Sequence, residues 1–323
     1  MKLFSAFLLL LALLFGCNST PRHESPIPSQ KLPPAQIAVP QFSAQRSFDD
    51  LLRQVNFGPR NPGSQGYKKC LSFFQTSLAQ LADTVLVQRF SYKTFKGDPY
   101  LGNNVIARFN LFYKERILLT AHWDTRPWAD QEKDKANHYK PISGANDGAS
   151  GVAVLLELAR IFKSHPVPVG IDVILFDGED VGQSGENKSF CQGSQYFAKN
   201  LPAGAVYKYA INLDMVGDKN LEIKREENSD SYAPRLMDAV FSTARSLGIS
   251  QFVDVRIGGI YDDHIALNEV NIPAIDLIDF DYPDATNSYW HTLEDTADKC
   301  SPESLEAVGT VLLNLIYGQR TGY

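Results

Sequence analysis

A chain of 323 residues, 44% hydrophobic and 21% charged, has the makeup of ordinary globular material and is long enough for one large domain or two small ones. Its formal net charge of -6 excludes the broad basic footprint that a nucleic-acid partner requires.

Residues 1–16 read as an export signal, because Lys2 supplies a positive start and Leu8 to Leu14 are almost wholly apolar. That stretch is too short for a membrane span. It ends Leu14-Phe15-Gly16-Cys17, in the manner of a bacterial lipobox, whose Cys is lipidated and becomes the new N-terminus. A plain secretory signal is the alternative. A lipidated Cys17 would tether the protein to a membrane surface, in the periplasm or at the cell surface. Residues 17–44 are rich in Pro and Ser without a periodic apolar pattern, which predicts a tether. The folded body is expected over residues 45–323. Within it Cys70, Cys191 and Cys300 show no metal-type spacing, which leaves one bridge or buried free thiols open.

The body opens near Ser47, where Ser-Phe-Asp-Asp-Leu-Leu predicts a helix start with a cap and early acids. Tyr67 to Ala82 predicts a second amphipathic helix with Leu71, Phe74, Leu78 and Leu81 on one face. Strands are expected near residues 84–90 and 104–109. An alternation follows. The apolar runs 117–121, 171–176, 207–213 and 273–278 are separated or followed by helical patterns at 148–162, 194–199, 232–247 and 302–317. This order predicts an α/β fold, a central mixed, mostly parallel sheet with helices on both faces.

Acids and histidines recur directly after these runs. His122 follows the first, Glu179 and Asp180 the second, and Asp214 ends the third. Asp147 opens the long helix, where backbone N–H groups favour a carboxylate. Ligands in open α/β sheets bind beyond the carboxyl ends of the strands, so these side chains are expected to converge. Carboxylate oxygens mixed with imidazole nitrogen suit zinc better than calcium or magnesium.

The chain resembles the zinc-dependent aminopeptidase superfamily and, within it, the glutaminyl-peptide cyclotransferases. The resemblance covers roughly residues 50–320 and rests on ordered motifs. They are Phe-Gly-Pro-Arg-Asn-Pro-Gly-Ser (57–64), Thr-Ala-His-Trp-Asp-Thr-Arg (120–126) and Gly-Ala-Asn-Asp-Gly-Ala-Ser-Gly (144–151). Leu-Phe-Asp-Gly-Glu-Asp (175–180), Asn-Leu-Asp-Met-Val-Gly (212–217), Asp-Asp-His-Ile (262–265) and Trp-His-Thr (290–292) complete the set. The resemblance implies one zinc ion held by Asp147, Asp180 and His291, with Glu179 as general acid/base. It implies a hydrogen-bonded carboxylate network of Asp214 and Asp262, and pocket walls from Trp290 and Tyr282. The implied activity is cyclisation of N-terminal glutaminyl residues of peptides or exported proteins to pyroglutamate, with release of ammonia. The alternative is an exported di-zinc aminopeptidase, in which His122, Asp147 and Asp214 would hold a second ion. Asp262 and Trp290 are the cyclase-like marks. The chain departs from relatives at Asp180, often Glu, at Tyr261, a Gln in animal cyclases, and at Ala121, where those carry a paired Cys.

Overall fold

The computed structural model describes residues 38–167 and 169–318. The export segment 1–16 and residues 17–37 of the tether lie outside the described residues. Residues 38–43 have no regular structure, yet Phe42 is buried in the main core and packs against Gly309. The packed body therefore reaches back at least to Phe42, earlier than the boundary at residue 45 drawn from composition. For the same reason helix α1 spans Ala44–Asn56, capped by Ser43, and Ser47 is buried inside it rather than capping it. Helix α2, Gln65–Ala79, is capped by Ser64, which accepts from the N–H of Tyr67. Its buried face carries Cys70, Phe73, Phe74 and Leu78, and Leu81 falls beyond its end.

The apolar runs become neighbouring strands. These are β1 (Thr84–Lys93), β2 (Pro99–Phe109), β3 (Glu115–His122), β4 (Gly170–Phe176), β5 (Val206–Asp214) and β8 (Ala274–Ile278). They form one sheet in the order β1-β2-β4-β3-β5-β8. The β1–β2 and β2–β4 pairs are antiparallel, and β3 pairs parallel with both β4 and β5, as β5 does with β8. The sheet is thus mixed, mostly parallel, as the alternation predicts. A parallel pair of short strands, β6 (Ile223–Glu226) and β7 (Phe252–Ile257), was not legible in the sequence.

Successive side chains of a strand point to opposite faces. Ile117, Leu119, Val173 and Leu175 accordingly face the larger core, while Leu118, Ile174 and Phe176 face a second one. Helices α3 (Ala149–Ser164), α6 (Pro234–Leu247) and α8 (Pro302–Tyr317) contribute to the first. Phe197 of α4 (Gln192–Lys199) and Leu267 of α7 (Asp263–Asn268) close the second. Between β5 and α6 runs the short helix α5 (Glu227–Tyr232). Burial on both faces explains why β4 is apolar at every position but Gly170 and Asp172. Cys70, Cys191 and Cys300 are buried free thiols, which settles the alternative of a bridge.

Strand β3 lies between β4 and β5, so the chain leaves β3 to one side and later returns to the other. This is a topological switch point, where the loops beyond the strand ends part to leave a crevice.

Candidate active site

His122 is the last residue of β3 and wholly buried, with Nε2 3.1 Å from both Asp147 Oδ1 and Asp214 Oδ1. Asp124 lies two residues on. Its two carboxylate oxygens accept the N–H groups of Glu179 and Asp180 at 3.1 and 3.2 Å, so the turn after β4 is fastened to the turn after β3. Asp147 precedes α3 through Gly148, whose φ of +95° belongs to the region L side chains rarely adopt. A Cβ there would also lie 2.6 Å from the carbonyl oxygen of Asp124. The glycine therefore lets the chain turn Asp147 into the crevice before the helix begins.

Asp147, Asp180 and His291 converge. His291 Nε2 lies 3.1 Å from Asp180 Oδ1 and 3.6 Å from Asp147 Oδ2, while its Nδ1 is 3.6 Å from Asp130. Two sets of ligand atoms each lie within 4.8 Å of one another, Asp147–Asp180–His291 and His122–Asp147–Asp214, with Asp147 common to both. The first set fits zinc by its donors, two carboxylates and an imidazole. A second observation supports the fit: Asp180 Oδ2 is buried with no hydrogen-bond partner, an acceptor that a cation would satisfy. Asp180 reaches the cluster despite being one methylene shorter than Glu. Arg126 donates to Asp180 Oδ1 at 3.2 Å and to both oxygens of Asp130. His291 holds φ +52°, a left-handed conformation at a residue whose ring must point inward.

Glu179 stands beside this set without joining it. Burial pushes its carboxyl well above the ordinary range; His122 pulls the other way, and Asp180, Asp262 and Asp263 add to the rise. Asp214 is pushed up to about 7 by burial, against His122 and with Asp262 and Asp147 adding. The expected hydrogen-bonded pairing of Asp214 with Asp262 needs correction. Asp214 bonds to His122, whereas Asp262 accepts the Asn212 amide at 3.1 Å and the N–H of Asp263 at the start of α7. The two acids are linked by charge, and Asn212 instead joins Asp262 to buried Asp276.

The cleft above these groups encloses about 280 Å³, with Glu179, Asp214 and Asp262 at its floor. Trp290, Phe280, Ile260 and Phe190 are its apolar walls, with Tyr261 beside them. Trp290 stacks on His291 at 3.7 Å between ring centroids and meets Phe280 edge-on at 5.1 Å. Tyr282 does not wall the pocket, contrary to expectation. It is fully buried, and its hydroxyl donates to Asp295 Oδ1 at 2.9 Å. Asp295 in turn accepts the N–H groups of Asn146 and Asp147, so Tyr282 braces the metal loop from below. Sequence reading missed Asp130, Asp276, Asp295, Phe190 and Phe280. Asp295 had the only readable signal, an acid in the Trp-His-Thr-Leu-Glu-Asp run; Asp276 is hidden inside the apolar run of β8, and Asp130, Phe190 and Phe280 sit in loops without periodicity.

Comparison with known proteins agrees with this geometry. The family model described as peptidase family M28 matches residues 104–316. A glutaminyl cyclase of Bacteroides thetaiotaomicron, solved bound to N-acetylhistamine, superposes with a TM-score of 0.84 at 36% identity, covering 88% of this chain and 100% of that one. A Zn-dependent exopeptidase of Parabacteroides distasonis gives 0.84 at 37% identity, covering 87% and 100%. Among curated relatives, the bovine glutaminyl-peptide cyclotransferase-like protein is 24% identical over 87% of this chain and 78% of its own length. Aminopeptidase YwaD of Bacillus subtilis is 26% identical over 64% of this chain, which spans 42% of that protein.

Proposed function

Since the chain belongs to peptidase family M28, we propose that it is a zinc-dependent glutaminyl-peptide cyclotransferase, converting N-terminal glutaminyl residues to pyroglutamate with release of ammonia. The carrying observation is a small cleft, walled by Trp290 and Phe280, whose floor holds a zinc-fitting triad and a separate carboxyl, Glu179. Likeness at 36% identity to a glutaminyl cyclase whose whole chain is covered supports it.

Asp147, Asp180 and His291 would hold the zinc. When bound there, the ion supplies Lewis-acid polarisation of a carbonyl and offsets the acidic floor. Every other step belongs to the side chains. Glu179 takes a proton from the α-amine as its nitrogen attacks the γ-carboxamide carbon. The new C–N bond closes the lactam, the old one breaks, and the proton leaves on ammonia. Attacker and target share one residue, so Trp290 and Phe280 need only hold the side chain folded against the floor, which lowers the entropic barrier. The carboxyl groups of the cleft floor, Glu179, Asp214 and Asp262, can accept hydrogen bonds from an ammonium group at entry.

A second reading, a di-zinc aminopeptidase, is favoured by the His122–Asp147–Asp214 set. Mass spectrometry on a Gln-initiated peptide separates the two. Loss of one ammonia without shortening supports the cyclase, and loss of the first residue replaces it with the peptidase.

The protein is further proposed to be an exported lipoprotein anchored through Cys17, on the strength of Lys2, the apolar run 8–14 and the residues before Cys17. Anchoring would bring it to exported proteins or peptides at a membrane. Alkyne-fatty-acid labelling of the full-length protein in a bacterial host tests this, and equal labelling of Cys17→Ser would refute it.

A further inference from the structure

Glu179 must present one carboxylate oxygen to the reacting amine and keep the other still. Among the described residues a single group donates a hydrogen bond to that carboxylate, the thiol of Cys191, with Sγ 3.5 Å from Oε1. The other oxygen, Oε2, has no hydrogen bond there; its nearest cationic-type neighbour is His122 Nδ1 at 3.9 Å. The thiol is itself held by the backbone. The N–H of Cys191 donates to the carbonyl of Glu179 at 2.9 Å, and the next N–H, of Gln192, donates to Gly178 at 2.9 Å. These two bonds tie the segment before α4 to the turn after β4. Cys191 adopts φ +56° to make them, a left-handed conformation that is uncommon for a residue with a side chain. Its carbonyl then accepts from Gln195 N–H and the Ser194 hydroxyl at the start of α4.

The surroundings explain why a thiol suits this position. Cys191 Sγ, a Glu179 oxygen and an Asp262 oxygen all lie within 4.8 Å of one another. A group placed among carboxylates must donate rather than accept. Burial and the charges of Glu179, Asp263 and Asp262 push the thiol well above its ordinary range, so it keeps its proton. A lysine would neutralise Glu179, and an alanine would leave Oε1 without a donor.

We propose that Cys191 is a positioning residue for Glu179: its S–H, clamped by the Cys191–Glu179 backbone bond, holds Oε1 and leaves Oε2 for proton transfer. This rests on the cyclase reading for the identity of the reaction, though not for the geometry.

The test compares Cys191→Ala and Cys191→Ser with the wild-type protein, on a Gln-initiated peptide, with zinc content and melting temperature measured on the same samples. Loss of one hydrogen bond from a weak S–H donor predicts that kcat falls about 3- to 10-fold in the alanine variant, with KM and zinc content unchanged. The serine variant, which keeps a donor, is expected to recover most of kcat. Wild-type kcat in the alanine variant would overturn the proposal. So would a serine variant as slow as the alanine one, since packing alone would then account for both. Should the alanine variant not fold, the serine variant still decides by its kcat. If the wild-type protein released amino acids instead of ammonia, the cyclase reading would fall, and the same ratios on peptide hydrolysis would judge Cys191 independently.

Discussion

Glu179 and Asp180 are neighbours in sequence but have opposite surroundings. Asp180 meets His291 and Arg126 and has an orphan oxygen suited to a cation, whereas the Glu179 carboxylate accepts from a thiol and has His122 no nearer than 3.9 Å. The division of labour follows from the turn after β4, whose two N–H groups are fixed on Asp124. Glu179→Gln preserves shape and removes the proton carrier. It is expected to retain zinc while losing about 10²-fold or more in kcat; near-normal turnover would remove Glu179 from the mechanism. At this scale the acids were legible because they recur together after successive apolar runs, although each alone reads as a cap or turn residue. Tyr282 was misread because a resemblance in motif says nothing about which side of the loop a ring faces in this chain. Burial against Asp295 decides that, and the partner lies 13 residues away.

Among the elements, α3 and β5 must approach closely to bring Asp147 near Asp214. Gly151 permits this, since a Cβ there would lie 2.3 Å from the carbonyl oxygen of Leu213. Gly151→Ala should destabilise the protein by about 1–3 kcal/mol through overpacking and reduce zinc retention, read by denaturant unfolding and metal analysis. A second consequence concerns Asp279, just past β8. It accepts the N–H groups of Glu222 and Asp281, and burial pushes its carboxyl up to about 7 despite them. A carboxyl raised in the folded state binds its proton more tightly there than when unfolded. Its contribution is full below about pH 4 and is lost as pH rises toward 7. Stability should therefore fall across that window, at no more than about 1.4 kcal/mol per pH unit. Asp279→Asn should flatten the slope in chemical denaturation at several pH values. The helices and strands themselves were mostly readable, whereas β6 and β7 were not. Ile223-Lys224-Arg225-Glu226 has little apolar content, and it pairs with a segment whose register only the fold supplies.

For the molecule as a whole, the ion and the fold support each other. Loops from β3, β4 and β8 and the start of α3 meet at carboxylates that repel one another without a cation. Zinc removal should therefore lower the melting temperature, and added zinc should restore it. The stabilisation reaches about 4 kcal/mol where free zinc exceeds its dissociation constant a thousandfold. An unchanged melting temperature with chelator, at confirmed metal loss, would contradict this. Buried charge elsewhere was invisible beforehand. Asp172 interrupts the apolar run of β4, and its partners Arg108 and Arg116 come from two different strands, with Arg116 at 2.6 Å. The α/β class and the order of strands and helices were legible in the chain alone, because apolar periodicity and strand-end acids are local features. The tertiary structure alone shows which acids converge with His122 and which with His291, that Cys191 faces Glu179, and that Tyr282 lies under the loop that carries Asp147. The converging acids are far apart in the chain, the Cys191–Glu179 and Tyr282–Asp295 contacts span 12 and 13 residues without periodicity, and the geometry of all is set by how the strands pair and the helices pack across both sheet faces.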